Sequence, residues 1–410
     1  MSCLHSMSRG WVTATSARSR SVAWRAGFSV LLAGVMAAST AVQFIFGVLA
    51  SFLLDDFGIS RSRLGLLTTV AFLVGASGSI PAGRLVDRIG GRRVQFGSLG
   101  LIGVATVAMA GAPSFGVLVV GAALTGVALT TCNPMTNKLI AAHTEPGDRG
   151  MIMGIKQAGV QAGAFLIGTL IPPTAIAWGW RVALLATIAV PLAAVVATGM
   201  VVPPDSAADL AHAPAGRRAL PASVRWLTAY AALMGAGVAA FGTYVPLYAQ
   251  ETVGLSLGAA GLVTGLVGVI GITARIAWAW AAERTGRFSA PLTLLGGGSV
   301  AATVLVLSAD AYGAPALWAG AVLFGATAIS WNAIGMLVVL VEVGSQDAGR
   351  ASGLVQTGFY AGFVASPILF GYSVDVTGGY VPGWTAIAGV FVAATAVAVG
   401  HHRSAHGVRV

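Results

Sequence analysis

Two positive charges stand inside long uncharged runs of this chain, where a side chain cannot easily shed water. Lys156 lies about seven residues into the apolar run 150–171, and Arg275 lies eight residues before Glu283 in the run 258–281. At about 1.5 Å of helical rise per residue, both sit roughly 10–12 Å inside one end of a membrane core about 30 Å thick. Asn133 and Asn332 reach comparable depths, and Gln157 and Gln356 occupy matching places on two further runs. The thirteen acids behave differently: from Asp55 and Asp56 to Asp375, all fall in loops or at the ends of runs. Buried cations without buried carboxylates want an anionic ligand, so Lys156 and Arg275 are expected substrate contacts. The competing expectations are snorkelling or bonding to helix carbonyls for Lys156, a bond to a neighbouring helix for Arg275, and, more strongly, helix–helix glue for the asparagines. Lys138, near the end of its run, is expected to snorkel.

Other chemistry is poorly supported. A midplane proton relay normally needs an intramembrane carboxylate or histidine; the acids are peripheral and the six histidines sit in tails and loops. Asp55, Asp56 and Glu251, facing an outer vestibule, remain the places for a coupling proton. The two cysteines, Cys3 and Cys132, suggest neither a disulfide nor a metal site. Asp55-Asp56 is a single acidic pair without a second cluster to hold a metal-diphosphate, so a membrane transferase is the weak rival from another class. Gln157 and Gln161 share a helix face while Lys156 is turned from Gln157 by about 100°, so these three do not all point at one ligand. Tyr244, Pro246 and Tyr248 read as a hinge and aromatic gate with Tyr244 against substrate, or equally as an interfacial aromatic belt.

The elements that must carry these residues follow from composition. Of 410 residues, 56% are apolar and only 9% charged, against about 25% charged in soluble domains. The chain is therefore expected to be an all-α membrane protein of twelve spans, near 26–54, 64–83, 94–112, 115–140, 150–171, 182–201, 226–249, 258–281, 290–309, 315–341, 350–371 and 384–400. The first run is longer than the apolar core of about 7 to 15 residues in a cleaved signal. Threaded with the N-terminus inside, seventeen of the 23 basic residues face the cytoplasm and three the outside. That asymmetry is the positive-inside pattern, so the net charge of +10 reports topology and anionic lipid heads, not nucleic acid.

The stretch 202–225 separates two six-helix halves, 26–201 and 226–400, with cytoplasmic tails at 1–25 and 401–410. Gly154–Gly163 aligns with Gly353–Gly362 at a shift of 199, which also superposes Asn133 on Asn332. A shift of 196 places Asp55 on Glu251, Gly58 on Gly254, Gly65 on Gly261 and Asp87 on Glu283. Between spans 2 and 3 runs Gly83-Arg84-Leu85-Val86-Asp87-Arg88-Ile89-Gly90-Gly91-Arg92-Arg93, and Ala279–Arg287 carries a degraded second copy with Glu283-Arg284 and Gly286.

This loop and its repeat resemble the signature of the major facilitator superfamily over residues 25 to 400. The resemblance implies two pseudo-symmetric six-helix bundles, alternating access, and a conformational latch of Gly83, Asp87, Arg88, Gly90, Arg92, Glu283 and Arg284. It also implies that spans 4, 5, 10 and 11 border a central cavity, which makes Asn133, Asn332, Gln157 and Gln356 expected substrate contacts as well. Asp87 would cap a helix of the opposite half and bias the outward-facing state. The Arg275 spacing resembles monocarboxylate and oxalate carriers, whose span-8 arginine holds a carboxylate, and span 5 resembles cyanate permeases. Proton-coupled drug exporters carry a Gly-Pro-rich span 5; here Gly159, Gly163 and Gly168 lack prolines until Pro172 and Pro173. The expected function is a plasma-membrane (inner-membrane) carrier of a small organic anion, working as a monomer without a cofactor. A coupling proton or counter-solute stays open, and a drug or metabolite exporter is the alternative.

Overall fold

The structure is a computed structural model that describes residues 21–145, 147–205, 221–285, 289–343 and 348–406. Most of the N-terminal tail and of the central stretch, the last four residues, Gly286, Arg287 and the side chain of Glu283 lie outside the described residues. Glycines with positive φ, among them Gly58 and its repeat partner Gly254, turn the chain where other residues would be strained. Between such turns run long helices: Arg61–Ile89 (span 2), Gly91–Ala110 (span 3), Phe115–His143 (span 4), Arg149–Trp178 (span 5), Ala222–Glu251 (span 7), Leu257–Thr285 (span 8), Ser289–Tyr312 (span 9), Ala348–Thr377 (span 11) and Val381–His406 (span 12). Span 1 is broken into Val22–Thr40, Val42–Val48 and Ala50–Phe57, span 6 into Trp180–Ala186 and Ala189–Val201, and span 10 into Ala314–Ala326 and Trp331–Val343. Among the described residues, eleven stretches are long and apolar enough to cross a membrane; Ala50–Phe57 with Arg61–Ser79, bent by 115°, raises this to twelve.

Eight of the twelve expected spans fall within a single helix that overruns the apolar run; spans 1, 6 and 10 are broken, and the span 3 helix ends at Ala110, short of the expected 112. Helical hydrogen bonding continues past the lipid until a turn residue ends it, so span 2 reaches Ile89 rather than 83.

The halves meet along small residues that let backbones touch. A Cβ at Gly65 of span 2 would collide with the Pro367 carbonyl of span 11, and one at Gly261 of span 8 would lie 2.6 Å from the Gly168 carbonyl of span 5. Gly65 and Gly261 are repeat partners, and so, at the shift of 199, are Gly168 and Pro367. The two contacts are therefore one contact repeated by the pseudo-symmetry. Gly47 of span 1 likewise meets the Gly242 and Thr243 carbonyls of span 7.

Candidate functional site

Where the halves meet, near mid-depth, lies a cavity walled by residues of both, including Thr40, Gln43, Asn133, Gln157, Gln161, Arg275, Asn332, Gln356 and Tyr360. Met36, Phe72, Trp331 and Phe359 supply its apolar surface. No acid lines it. The space open to water centres is about 50 Å³, enough for a few waters at roughly 10–15 Å³ each.

Arg275 reaches this wall because span 10 comes apart beside it. From Thr327 to Ser330 the helix gives way to turns, and Ile329 N–H donates to Phe324 O, five residues back. Ala333 N–H, the helical donor to Ile329 O, goes to Ser330 O instead, so the Ile329 carbonyl is free to accept from Arg275 Nε at 3.1 Å and Nη2 at 3.0 Å. Trp278, one turn along span 8, donates to the Ala326 carbonyl at 2.9 Å. Arg275 Nη1 crosses to the other half and donates to Gln157 O at 3.3 Å. A guanidinium has five N–H groups, so these bonds leave two among the described contacts. Arg275 thus makes the bond to a neighbouring helix that was one expectation, while also standing on the cavity wall, which was the other.

Lys156 is fully buried and does not line the cavity. Its ammonium donates to Asn133 Oδ1 at 3.1 Å, Thr136 Oγ1 at 3.1 Å and Asn137 Oδ1 at 2.6 Å. Three donors meet three neutral oxygens of span 4, neither snorkelling nor bonded to backbone carbonyls. As the 100° offset requires, Gln157 and Gln161 take the cavity side while Lys156 turns away.

The sequence-derived substrate contacts therefore divide. Asn133, Asn332, Gln157, Gln356 and Arg275 line one cavity, while Lys156 stands behind its lining. Tyr244 lies elsewhere, fully buried against Phe370, with its hydroxyl 2.7 Å from the carbonyls of Arg61 and Pro367. Tyr248 is equally buried, so the pair packs the interior instead of forming an interfacial belt. Gln43, Tyr360 and Gln161 join the site unannounced by the sequence reading. Gln161 is only 1% exposed and its Oε1 has no partner among the described residues; its i, i+4 relation to Gln157 was the available signal.

On the face carrying Arg61, the halves are pinned by charge. The Asp375 carboxylate of span 11 accepts from the Arg61 and Ser62 amides, both at 2.9 Å, and so caps the start of span 2. The Arg61 guanidinium meets Glu251 of span 7 at 2.7 Å, and Tyr380 O–H donates to the same carboxylate at 2.6 Å. Burial first, then the bond to Glu251, raises the Tyr380 hydroxyl above the usual phenol range, which keeps it a neutral donor. Asp56 is held by Trp180 and Arg181. Between this face and the cavity, Thr69 donates to Val364 O at 2.8 Å and Thr68 faces Thr243 at 3.3 Å.

The Asp87 face is bonded differently. Asp87 is 68% exposed and lies 3.6 Å from Lys138, in its own half; it caps no helix of the other half among the described residues. Lys138 does not snorkel but donates to the Val86 and Asp87 carbonyls at 3.0 and 3.3 Å, closing the end of span 2. The described carboxylate cap on this face is a different one and stays within one half: Asp205 accepts from the Arg92 and Arg93 amides of span 3 at 3.1 and 3.2 Å. A Cβ at Gly90 would collide with that carboxylate. Gly83 faces open space, and Arg284 stacks over Trp280 at 4.0 Å. Arg88 has no described partner of its own in the other half. Among the described residues, no cross-half ion pair or side-chain hydrogen bond lies closer to this face than the mid-depth cavity.

Known proteins carry the same architecture. A bacterial homologue of the human lysosomal transporter Spinster, solved in an inward-facing and occupied conformation, superposes with a TM-score of 0.72 at 15% identity, over 94% of this chain and 98% of that one. A gentisate transporter of Corynebacterium glutamicum is 27% identical over 64% of this chain, which spans 62% of that relative's length. A probable sulfoacetate transporter of Cupriavidus necator is 25% identical over 85% of this chain and 88% of its own. The family model described as Major Facilitator Superfamily matches residues 31–367. With that match, the fold and the repeat in agreement, the chain belongs to the major facilitator superfamily of multi-pass membrane transporters.

Proposed function

We propose that this transporter carries a small organic anion, held at the mid-depth cavity between its halves. One observation carries the reading: Arg275 stands on a wall of neutral amides and hydroxyls without any acid. A guanidinium grips a carboxylate through two parallel N–H bonds, and two N–H groups of Arg275 are uncommitted among the described contacts. Asn133, Asn332, Gln157, Gln161 and Gln356 add N–H donors around the same space. An ionised carboxylate is acceptor-only, so such a wall satisfies it better than it satisfies a cation. Relatives named for gentisate and sulfoacetate support the class, both being acids. The small volume suits a compact acid in this state.

In this reading the Asp87 face is cytoplasmic, as the basic asymmetry argues, with both termini on it in the plasma membrane. The state described is then closed to the outside by Arg61, Asp375, Glu251 and Tyr380, and the loop Gly83–Arg92 with Glu283 and Arg284 closes the opposite side in the other half of the cycle. Uptake into liposomes tests the class: lactate, oxalate, cyanate and a hydroxybenzoate against a cationic dye. Accumulation of one of the acids supports the reading, and transport of the dye alone replaces it with a drug exporter.

A further inference from the structure

Among the described residues Lys156 has no carboxylate partner and does not line the cavity, yet its ammonium is spent on a residue that does. An ammonium donates three hydrogen bonds and accepts none. Whatever touches Lys156 Nζ from the Asn133 side chain, at 3.1 Å, must therefore be the carboxamide oxygen. Asn133 cannot turn over without setting its own N–H₂ against three ammonium hydrogens. Thr136 fixes the cage from behind, since its hydroxyl lies 2.6 Å from Cys132 O and so offers its lone pairs to Lys156. Asn137 closes the third side. With the oxygen of Asn133 pinned inward, its amide nitrogen is the group turned to the cavity, where the Tyr360 hydroxyl of the other half is its neighbour.

Asn332, the repeat partner of Asn133, lines the same cavity from the other half. No described hydrogen bond fixes which of its two ends faces inward. The halves are thus unequal in this respect: one asparagine is set as a donor by a buried charge, the other is free to present either end.

We propose that Lys156 is a positioning residue that locks Asn133 as an obligatory hydrogen-bond donor and so selects acids over their neutral amides. This rests on the anion reading above, because it concerns the specificity of the same site. A lysine acting only through its field would help any anion equally and would need no particular residue at position 133. A lysine acting through Asn133 makes the two side chains energetically inseparable.

A double-mutant cycle separates these cases. Binding of a transported acid and of its carboxamide is measured on purified parent, Asn133→Ala, Lys156→Met and the double variant, with the folded state of each checked by thermal unfolding. A hydrogen bond to a charged group contributes about 1.5–3 kcal/mol, so Asn133→Ala should weaken the acid roughly 10- to 150-fold in the parent while changing the amide little. In the Lys156→Met background the same substitution should cost less than about threefold. Equal loss in both backgrounds, with the acid still preferred, overturns the positioning role and leaves the anion site standing. A parent that binds the amide as tightly as the acid overturns the anion reading and this inference with it. Should Lys156→Met fail to fold, Asn133→Asp reads the same contact in the parent background. Its carboxylate pairs with the ammonium and turns an acceptor to the cavity, so the protein should stay folded and lose acid binding at least tenfold. Unfolding, or unchanged acid binding, would refute the proposal.

Discussion

Removing the Asp375 carboxylate should loosen the Arg61 face more than removing the Arg61 side chain, although the arginine makes the shorter and more conspicuous ion pair. Asp375 caps the first two amides of span 2 from the opposite half. Loss of a helix N-cap costs about 0.5–2 kcal/mol, and the carboxylate's charge at a helix N-terminus adds about 0.3–1 kcal/mol. Asp375→Ala should therefore shift the balance between closed and open by about 0.8–3 kcal/mol, or roughly 4- to 150-fold. The Arg61–Glu251 pair is 33% and 31% exposed at its two side chains. Exposed pairs contribute about 0.2–1 kcal/mol, and Tyr380 still holds Glu251 when Arg61 is gone. Arg61→Ala should thus shift the balance about fivefold at most, since the Asp375 bonds are to its backbone and survive. The assay places one cysteine at Gln43 on the cavity wall, with Cys3 and Cys132 replaced, and follows its labelling by an impermeant thiol reagent from the Arg61 face. The reasoning fails if Arg61→Ala accelerates labelling as much as Asp375→Ala, or if neither changes it in a folded protein.

Four further outcomes follow from named contacts. Arg275→Lys keeps the charge but loses the fork and the pair of bonds to Ile329 O; acid binding should fall at least tenfold by direct titration, and parent-like affinity would remove Arg275 from the site. Gly65→Ala should keep the Arg61 face from closing, because the added carbon meets backbone; cavity cysteines should label faster from that face, and unchanged labelling counts against the contact. Asp87→Asn should alter cavity accessibility and slow transport with little loss of folded protein, since its side chain is mostly in solvent; unaltered rates would argue against a latch. Cysteines placed singly at Glu145 and Thr377 should label from opposite sides of the membrane, with Thr377 outside; the reverse would invert the topology.

The spans were legible because apolar runs of membrane length admit little else, and the glycine pairs were legible because small residues recur at a fixed shift. Gly65 and Gly261 read as a repeat and fold as one repeated contact. The breaks were not legible. No proline or glycine marks Thr327–Ser330, so nothing in the local sequence announces the freed Ile329 carbonyl that places Arg275. Lys156 was visible as a buried cation, but its partners decide its role. Asn133, Thr136 and Asn137 stand at i, i+3 and i+4 on span 4, a polar stripe on one face that could have been paired with Lys156. Asp375 and Arg61 read as ordinary loop charges because their importance comes from a partner more than 300 residues away. Tyr244 misled for the same reason: an aromatic near a span end does not say whether it faces a ligand, a lipid or the other half.

The central claim is that an acid binds at Arg275 between the halves. Its most direct test is titration of the purified protein with an acid found by the uptake screen and with that acid's neutral amide, in parent and in Arg275→Lys. The acid should bind the parent at least tenfold more tightly than the amide, and Arg275→Lys should remove most of that preference while leaving the amide unchanged. Equal binding of acid and amide to the parent, or a preference that survives Arg275→Lys intact, would contradict it.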